Sequence, residues 1–323
     1  MNKDFDIFYK EQLQPVLDNL ETTRKEIHSK IIRYALYSIV FYVLGFYFSS
    51  LVDKDHSWYV VLAFFTFFTA IALPGYNISI GLGRFKKVKH TYKNKVLVEL
   101  LLFLYDNVEF LSRQKFSRKV MNNSGILDNT LSHEFDVVEG EDYVKCIIGN
   151  TTIQFAEMYI VRSDVIFSKT LFQGIFISAK FNKLLKHKTL VLSRKKLTNT
   201  RKFRLKLQSF FNEGHIINLE NSKFNELFVV YGEDEIETRY VLSSSMMEKL
   251  IAYQEKLNKD IAFSFVENRM YAAIYTNKNH FEPSISKPLN DKAQIVQHFE
   301  LYKMLTDMVL DLDLKLRLWD KLE

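Results

Sequence analysis

Two long runs without a charged side chain constrain this chain more than any other feature. Residues 34–52 contain no Asp, Glu, Lys or Arg, and residues 57–83 contain none either. An α-helix rises about 1.5 Å per residue, and the hydrocarbon core of a bilayer needs about 20 mainly apolar residues. The linker of residues 53–56 is too short to hold a domain. The sequence therefore predicts two transmembrane helices that form an antiparallel hairpin.

Cations flank this hairpin on one side only. They precede the first run and follow the second: Arg24, Lys25, Lys30, Arg33, Arg84, Lys86, Lys87, Lys89, Lys93 and Lys95. The connecting loop offers only Lys54. Because cytoplasmic flanks of membrane helices carry an excess of Lys and Arg, we expect a multi-pass protein of the inner (plasma) membrane with both termini in the cytoplasm. The alternative is a buried helical hairpin of a soluble protein, which would need a polar stripe that these runs lack.

The pattern along the chain predicts four consecutive segments. Residues 1–33 form a cytoplasmic arm, whose helical periodicity begins at Pro15 and can continue into the first span; residues 34–83 form the hairpin. Residues 84–120 form a basic juxtamembrane segment and an amphipathic stalk helix that extends to Leu111. This stalk helix either pairs with the arm helix or docks on the domain that follows, because periodicity alone does not choose a partner. Residues 121–323, after a boundary loop at 121–125, form the cytoplasmic domain.

Apolar alternation in this last segment is typical of short strands. It predicts strands at 143–148, 151–155, 165–167, 174–179, 189–192, 227–231, 236–242, 261–266 and 270–275. Gly149 and Asn150 suit a two-residue hairpin turn. Helices are expected at 246–257, after a capping box of Ser245 and Glu248, and after Asp291, while the alternating tail 310–318 predicts an extended edge segment. The expected fold class is an integral membrane α-helical hairpin plus an α+β cytoplasmic domain with mainly antiparallel strands.

Motifs that carry known chemistry are absent from the sequence. It contains no Walker loop, glycine-rich dinucleotide fingerprint, HExxH or nucleophile elbow, and its eight histidines have no metal-ligand spacing. The single cysteine, Cys146, excludes an intramolecular disulfide and is expected to be a buried strand residue. The acidic residues at 233–237 are expected to be a solvated turn. The sequence therefore predicts no catalytic residue, metal or cofactor.

A one-sided distribution of charge marks the candidate binding surface. Residues 165–212 contain twelve Lys and Arg residues and no Asp or Glu, so no local carboxylate compensates them. The candidate binding residues are Lys86, Lys87, Lys89, Lys186, Lys188, Arg194, Lys195, Lys196, Arg201, Lys202, Arg204 and Lys206. Four interpretations remain open: anionic lipid of the inner leaflet, an acidic protein partner, nucleic acid, or a solvated lysine-rich surface without a ligand.

Several motifs of the second half resemble one bacterial family. They are FVVYGEDEIETRYVL at 228–242 followed by SSSMMEKL, VEGEDYV at 138–144, FQGIF at 172–176 with AKFN at 179–182, and LDLKLRLW at 312–319. This set is similar to the family catalogued as domain of unknown function 3137. The resemblance implies an integral membrane protein with two spans near the N-terminus and a large cytoplasmic domain. It implies no activity.

These observations favour a membrane-anchored, non-enzymatic scaffold that presents a basic face to anionic lipid or to an acidic partner. One alternative is a subunit of a larger membrane complex, or a homo-oligomer, assembled through the stalk. Another is a membrane-bound enzyme whose site combines residues far apart in the sequence. A cleft containing a buried carboxylate or histidine with a shifted pKa would favour the enzyme.

Overall fold

The chain divides into two compact units, which we call the hairpin unit and the sheet unit. The hairpin unit comprises Met1–Leu100 and Phe281–Val296, and the sheet unit comprises Leu101–His280 and Gln297–Glu323. The computed structural model describes residues 3–52, 58–126, 136–163, 168–180, 184–194, 214–276 and 279–318. The predicted strand at 165–167 lies outside the described residues.

The hairpin unit is built from two long helical stretches. The first consists of α1 (Lys3–Phe8), a π-helical segment (Tyr9–Leu13) and α2 (Gln14–Ser50). The second consists of α3 (Trp58–Thr91), a π-helical segment (Tyr92–Leu97) and the start of α4 (Val98–Leu104), whose residues from Leu101 onward belong to the sheet unit. Pro15 lies in the first turn of α2, where the fixed φ of proline is compatible with a helix. The prediction of one helix from Pro15 through the first apolar run is confirmed.

Helices α2 and α3 pack against each other as antiparallel neighbours. Where the helices approach, a Cβ added to Gly45 would lie 2.9 Å from the Phe67 ring, and one added to Gly81 would lie 3.2 Å from Ile31. Helix α2 also contacts the π-helical segment Tyr92–Leu97. Of the two arrangements left open for the segment after the second apolar run, pairing with the arm helix is therefore present for residues 92–97.

A return segment, residues 281–296, completes the hairpin unit. The buried Glu21 carboxylate accepts two hydrogen bonds of 2.8 Å from the Arg24 guanidinium. The backbone N–H of Leu289 donates to the same carboxylate at 2.8 Å, and Arg24 donates to the carbonyl of Ile285. A buried ion pair thus attaches the return segment to the arm helix.

The sheet unit contains nine described strands. They are β1 (Val108–Leu111), β2 (Asp136–Ile148), β3 (Thr151–Ser163), β4 (Ser168–Lys180), β5 (Thr189–Ser193), β6 (His215–Ile217), β7 (Phe228–Gly232), β8 (Ile261–Val266) and β9 (Arg269–Tyr275). Their order is β1-β2-β3-β4-β9-β8-β5-β7-β6, and every neighbouring pair is antiparallel. The predicted antiparallel sheet is therefore confirmed.

Helices cover this sheet on both faces. They are α5 (Arg118–Ser124), α6 (Ser222–Leu227), α7 (Glu235–Val241), α8 (Ser244–Leu257) and α9 (Lys292–Leu318). Phe116 and Phe176 lie in a buried cluster on one face. On the other face, the ring of Phe155 lies 5.7 Å from that of Tyr302 in α9. Cys146 is buried in β2, as predicted, and burial raises the pKa of its thiol to about 12.

Two secondary-structure predictions, the extent of the stalk helix and the loop at 121–125, are wrong. The stalk helix ends at Leu104, and Val108–Leu111 forms the edge strand β1, which pairs with β2. The predicted loop at 121–125 is the end of helix α5, which Gly125 terminates with φ of 63°. The apolar spacing through Leu111 is compatible with a helix. The backbone N–H and C=O groups of β1 instead form hydrogen bonds with β2, which stabilise a strand.

Three predictions in the second half are also wrong. The expected strand at 236–242 is helix α7, because the Asp234 carboxylate caps it by accepting the N–H of Glu237 at 2.7 Å. The tail 310–318 continues α9, since its Leu, Lys and Arg residues are good helix formers that extend an existing helix. The helix expected at 246–257 is present, but it begins at Ser244 after Ser243 rather than in a capping box of Ser245.

Candidate functional site

The outer surface of the hairpin carries exposed apolar side chains, which we call the apolar belt (residues 34–51 and 58–82). They include Leu36, Ile39, Val40, Val43, Phe46 and Tyr47 of α2, and Val60, Val61, Phe64, Phe65, Phe68 and Ile71 of α3. The most apolar window is only 6% buried in the first helix and 17% in the second. A core helix of a soluble protein would bury most of such a window. Both helices are long and apolar enough to span a membrane.

Polar side chains within the belt bond to helix carbonyls. The Thr69 hydroxyl donates to the carbonyl of Phe65 at 3.0 Å, and the Asn77 amide donates to that of Leu73 at 2.8 Å. The Ser38 hydroxyl of α2 donates across the hairpin to the carbonyl of Ala70 at 2.7 Å. Internal partners of this kind are what a lipid environment requires of polar groups.

Five cations lie at the end of the belt away from the connecting loop. We call this set the basic collar; its members are Lys30, Arg33, Arg84, Lys86 and Lys87, and all five are exposed. Glu26 is the only carboxylate in residues 22–52 and 76–98. A hydrogen bond from Lys30, and then the charges of Lys30 and Arg84, hold the pKa of Glu26 below its ordinary value. Arg84 of α3 therefore lies close to the α2 cations.

Lys89, predicted to act with Lys86 and Lys87, is in a different environment. Its Nζ lies 2.7 Å from the Glu282 carboxylate, which is also 4.0 Å from Nζ of the buried Lys93. By contrast, no carboxylate pairs with Lys86 or Lys87 in the described part of the chain. The fold therefore pairs the charge of Lys89 with a carboxylate and leaves the other two predicted juxtamembrane cations, Lys86 and Lys87, exposed.

The described part of the basic run at 165–212 is contacted by the acidic residues at 233–237, which were expected to be solvated. The Glu237 carboxylate accepts the backbone N–H of the exposed Lys186 at 3.1 Å. The Glu233 carboxylate accepts the backbone N–H of Lys188 at 3.0 Å and lies 4.0 Å from its Nζ. The expectation that no carboxylate compensates this run is therefore wrong at Lys188, because Glu233 reaches it across β5 and β7.

The rest of that run is only partly described. Arg194 is exposed, and its guanidinium donates to the carbonyl of Asn225 at 2.7 and 3.0 Å. The remaining predicted binding residues lie outside the described residues: Lys195, Lys196, Arg201, Lys202, Arg204 and Lys206. Their part in a binding surface stays a prediction.

A second candidate site, which the sequence analysis missed, is an open cleft of about 620 Å³ in the sheet unit. Its floor is formed by β2, β3 and β4, and its lining residues are Arg113, Lys115, Glu139, Gly140, Glu141, Glu157, Met158, Tyr159, Gln173, Gly174 and Asn279. The register shifts between Glu141 and Val144, and Asp142 adopts φ of 57°. This β-bulge changes the direction of the acidic side chains of β2.

Three carboxylates converge at the bulge. Glu141 lies directly opposite Glu157 in the β2–β3 register, and one oxygen from each of Glu141, Asp142 and Glu157 lies within 4.8 Å of the others. Like charges in directly opposite positions are destabilising in a sheet. The N–H of His280 donates to Glu157, and the Asn279 amide donates to Glu141 at 3.5 Å.

This arrangement offers the oxygen ligands that hard divalent cations prefer, with Arg113 and Lys115 on the same rim. Acidic groups of this kind are common without an ion, so the geometry by itself assigns no ligand. The sequence signal was the presence of three carboxylates and a glycine at 139–142, between the apolar residues Val137, Val138, Tyr143 and Val144 of β2. Nearby, burial and then the charge of His280 lower the pKa of the buried His298 to about 4, so its imidazole is neutral near pH 7.

The structure thus defines a protein with a long apolar helical hairpin followed by a mainly antiparallel sheet with helices on both faces. Residues 170–314, from β4 into α9, match the model of the family described as "Protein of unknown function (DUF3137)". This match confirms, for residues 170–314, the family resemblance that the sequence motifs indicated.

Two further comparisons add little. The comparison with curated proteins found no match. A solved structure, the mycobacterial trehalose monomycolate transport factor A, TtfA, is similar with a TM-score of 0.31 and 10% identity, over 62% of this chain and 87% of that one. At this TM-score the likeness carries no argument about fold or function.

Proposed function

We propose that this protein is a membrane-anchored, non-enzymatic scaffold, in which α2 and α3 span the inner membrane and tether the sheet unit to its cytoplasmic side. The apolar belt is the observation that carries the proposal. Residues 34–50 of α2 cover about 26 Å along the helix axis, close to the roughly 30 Å thickness of a bilayer core. Contact of this apolar surface with water would cost much free energy, whereas contact with lipid acyl chains would not.

The orientation follows from the two ends of the belt. The basic collar lies at one end, whereas the connecting loop at the other end contains Lys54 with Asp53 and Asp55. The excess of cations on the cytoplasmic side therefore supports an arrangement with both termini in the cytoplasm. Aromatic contacts at both ends support the same placement: Tyr34 packs on Tyr37, and Trp58 stacks on its neighbour at 4.0 Å.

In this arrangement the sheet unit acts by tethering. A partner held by the sheet unit is confined near the membrane surface, so its effective concentration there rises without any new contact. The partner class proposed from the sequence is an acidic protein surface or anionic lipid.

Membrane fractionation and cysteine labelling test the anchor and its orientation. We expect alkaline carbonate to leave the full chain in the membrane pellet. The buried Cys146 thiol cannot serve as the cytoplasmic reference, so Cys146 is changed to Ser. Single cysteines then replace His56 in the loop and the exposed Lys259. An impermeant maleimide should label His56→Cys in intact cells and Lys259→Cys only after permeabilisation. Release by carbonate would exclude the anchor, and the opposite labelling pattern would exclude the orientation.

A further inference from the structure

We propose that the basic collar binds the headgroups of anionic phospholipids at the cytoplasmic surface of the membrane, chiefly through Arg33, Arg84, Lys86 and Lys87. This inference rests on the proposed function, because the collar lies at a bilayer surface only if the apolar belt lies in the bilayer.

The position of the collar along the hairpin matches a headgroup layer. Gly81 contacts Ile31 across the helix pair, so these two residues lie at the same height. Arg33 is then about 3 Å nearer the belt, and Arg84 about 4.5 Å farther from it. The two guanidinium-bearing residues are therefore about 8 Å apart along the axis. The polar layer of one leaflet is about 5–8 Å thick, and long Arg and Lys side chains reach over such distances.

The charge at this height is strongly one-sided. Five collar cations face one carboxylate, Glu26, which Lys30 and Arg84 share. Residues 76–98 contain no Asp or Glu at all. Three cations beyond the collar differ, because Lys89 and Lys93 have Glu282 and Arg24 has Glu21. Among the described residues, the protein thus supplies carboxylates for these three cations and offers the five collar cations only Glu26, which leaves an excess of positive charge for an external anion.

The chemistry around the collar favours lipid over an acidic protein. Exposed apolar side chains lie next to the cations on the side of the belt: Ile32 is 47% exposed, Ile80 45% and Leu82 53%. A ligand that covers both kinds of group must join an anionic head to an acyl chain. Arg and Lys bind phosphate oxygens with charge-assisted hydrogen bonds, which suits a phosphodiester headgroup. A soluble acidic surface would cover the cations but leave this apolar surface exposed.

Native mass spectrometry of the full chain tests the inference. The protein, purified in a mild detergent, is equilibrated with an equimolar mixture of phosphatidylcholine and phosphatidylglycerol, and the bound lipids are counted. We expect bound phosphatidylglycerol to exceed phosphatidylcholine several-fold for the wild type. The ratio should fall markedly towards one when Arg84, Lys86 and Lys87 are all changed to Gln, since each cation near the surface adds to the attraction for anionic lipid and only Lys30 and Arg33 of the collar remain.

Two matched variants control for changes in charge and in fold. The variant with Lys119, Lys256 and Lys259 changed to Gln alters the net charge equally at exposed positions of the sheet unit, and it should keep the wild-type ratio. The charge-preserving combination Arg84→Lys, Lys86→Arg and Lys87→Arg should also keep it.

Three results would overturn the inference. They are the absence of a preference in the wild type, an unchanged ratio in the Gln variant of the collar, and displacement of phosphatidylglycerol by polyglutamate at constant ionic strength. The last result would assign the collar to an acidic protein. Failure of the anchor itself is separate, because it shows as release of the wild type from membranes by carbonate, whatever the lipid ratio.

Discussion

A hydrogen bond between the two helices of the hairpin compensates for Pro74. Pro74 lies inside α3 and has no N–H, so the carbonyl of Ala70 one turn earlier lacks its helical donor. The Ser38 hydroxyl supplies the donor at 2.7 Å, and Ala70 is only 1% exposed. Changing Ser38 to Ala therefore leaves a buried carbonyl without a donor in a place that no water reaches.

The expected cost is about 1 kcal/mol. A buried acceptor that loses its donor costs about 1–3 kcal/mol in soluble proteins, and interhelical hydrogen bonds in membranes average about 0.6 with a maximum of about 1.7 kcal/mol. In a Pro74→Ala background the restored N–H of residue 74 bonds to Ala70 within the helix. Ser38→Ala should then cost almost nothing, so the coupling energy between the two positions should also be about 1 kcal/mol.

Unfolding of the four proteins of this cycle in mixed micelles of a mild detergent and dodecyl sulfate measures the coupling. Fluorescence of Trp58 reports on the hairpin if Trp319 is changed to Phe. Thr69→Val is the matched control, because the carbonyl of Phe65 keeps its helical N–H, and it should cost less than about 0.5 kcal/mol. Equal costs of Ser38→Ala in both backgrounds, with a coupling below about 0.3 kcal/mol, would refute the reasoning.

Three further changes test other parts of the structure. Arg24→Met leaves the buried Glu21 carboxylate without its main partner. We therefore expect the free energy of unfolding to fall by about 3 kcal/mol and the return segment to be cleaved rapidly by a protease. Unchanged cleavage kinetics would contradict this. Burial lowers the pKa of His298 to about 4, so the unfolded chain binds the proton more readily than the folded one. The free energy of unfolding should therefore fall by up to about 3 kcal/mol as the pH drops from 6.5 to 4. His298→Phe should make the melting temperature less dependent on pH over that range, and an unchanged slope would argue against this. Gly174→Ala should lower the free energy of unfolding of the sheet unit by more than about 2 kcal/mol in a denaturant titration. The reason is that the φ of Gly174 is 157° and a new Cβ would lie 1.9 Å from the carbonyl oxygen of Ile274. An unfolding midpoint equal to that of the wild type would disprove this contact.

Local signals predicted the elements that local interactions determine. The hairpin of β2 and β3 follows from apolar alternation on both sides of Gly149, whose φ of 59° is the conformation that such a turn requires. The two long helices follow from runs without charge, which are properties of contiguous residues. Helix α8 and strands β8 and β9 were found for the same reason, and only their boundaries differ from the expectation.

The wrong predictions arise where two local signals compete. Residues 236–242 alternate as a strand would, yet Asp234 caps their first turn and they fold as α7. The tail 310–318 alternates even more strictly, but it continues the helix that begins at Lys292. Val108 and Leu111 fit the stalk periodicity, and a partner strand more than 30 residues later takes them into the sheet. Periodicity alone cannot weigh a cap or a distant strand.

By itself, the sequence determined that this protein carries an apolar helical hairpin with its flanking cations at one end, because hydropathy and charge are summed along contiguous residues. Only the tertiary structure decided which of those cations remain exposed. Lys89 meets Glu282 across 193 residues of sequence, whereas Lys86 and Lys87, three and two positions earlier, meet no carboxylate among the residues described. It likewise placed Glu141 opposite Glu157, which no spacing along the chain announces. Charge compensation acts through space, so its outcome depends on contacts that the fold makes between distant residues.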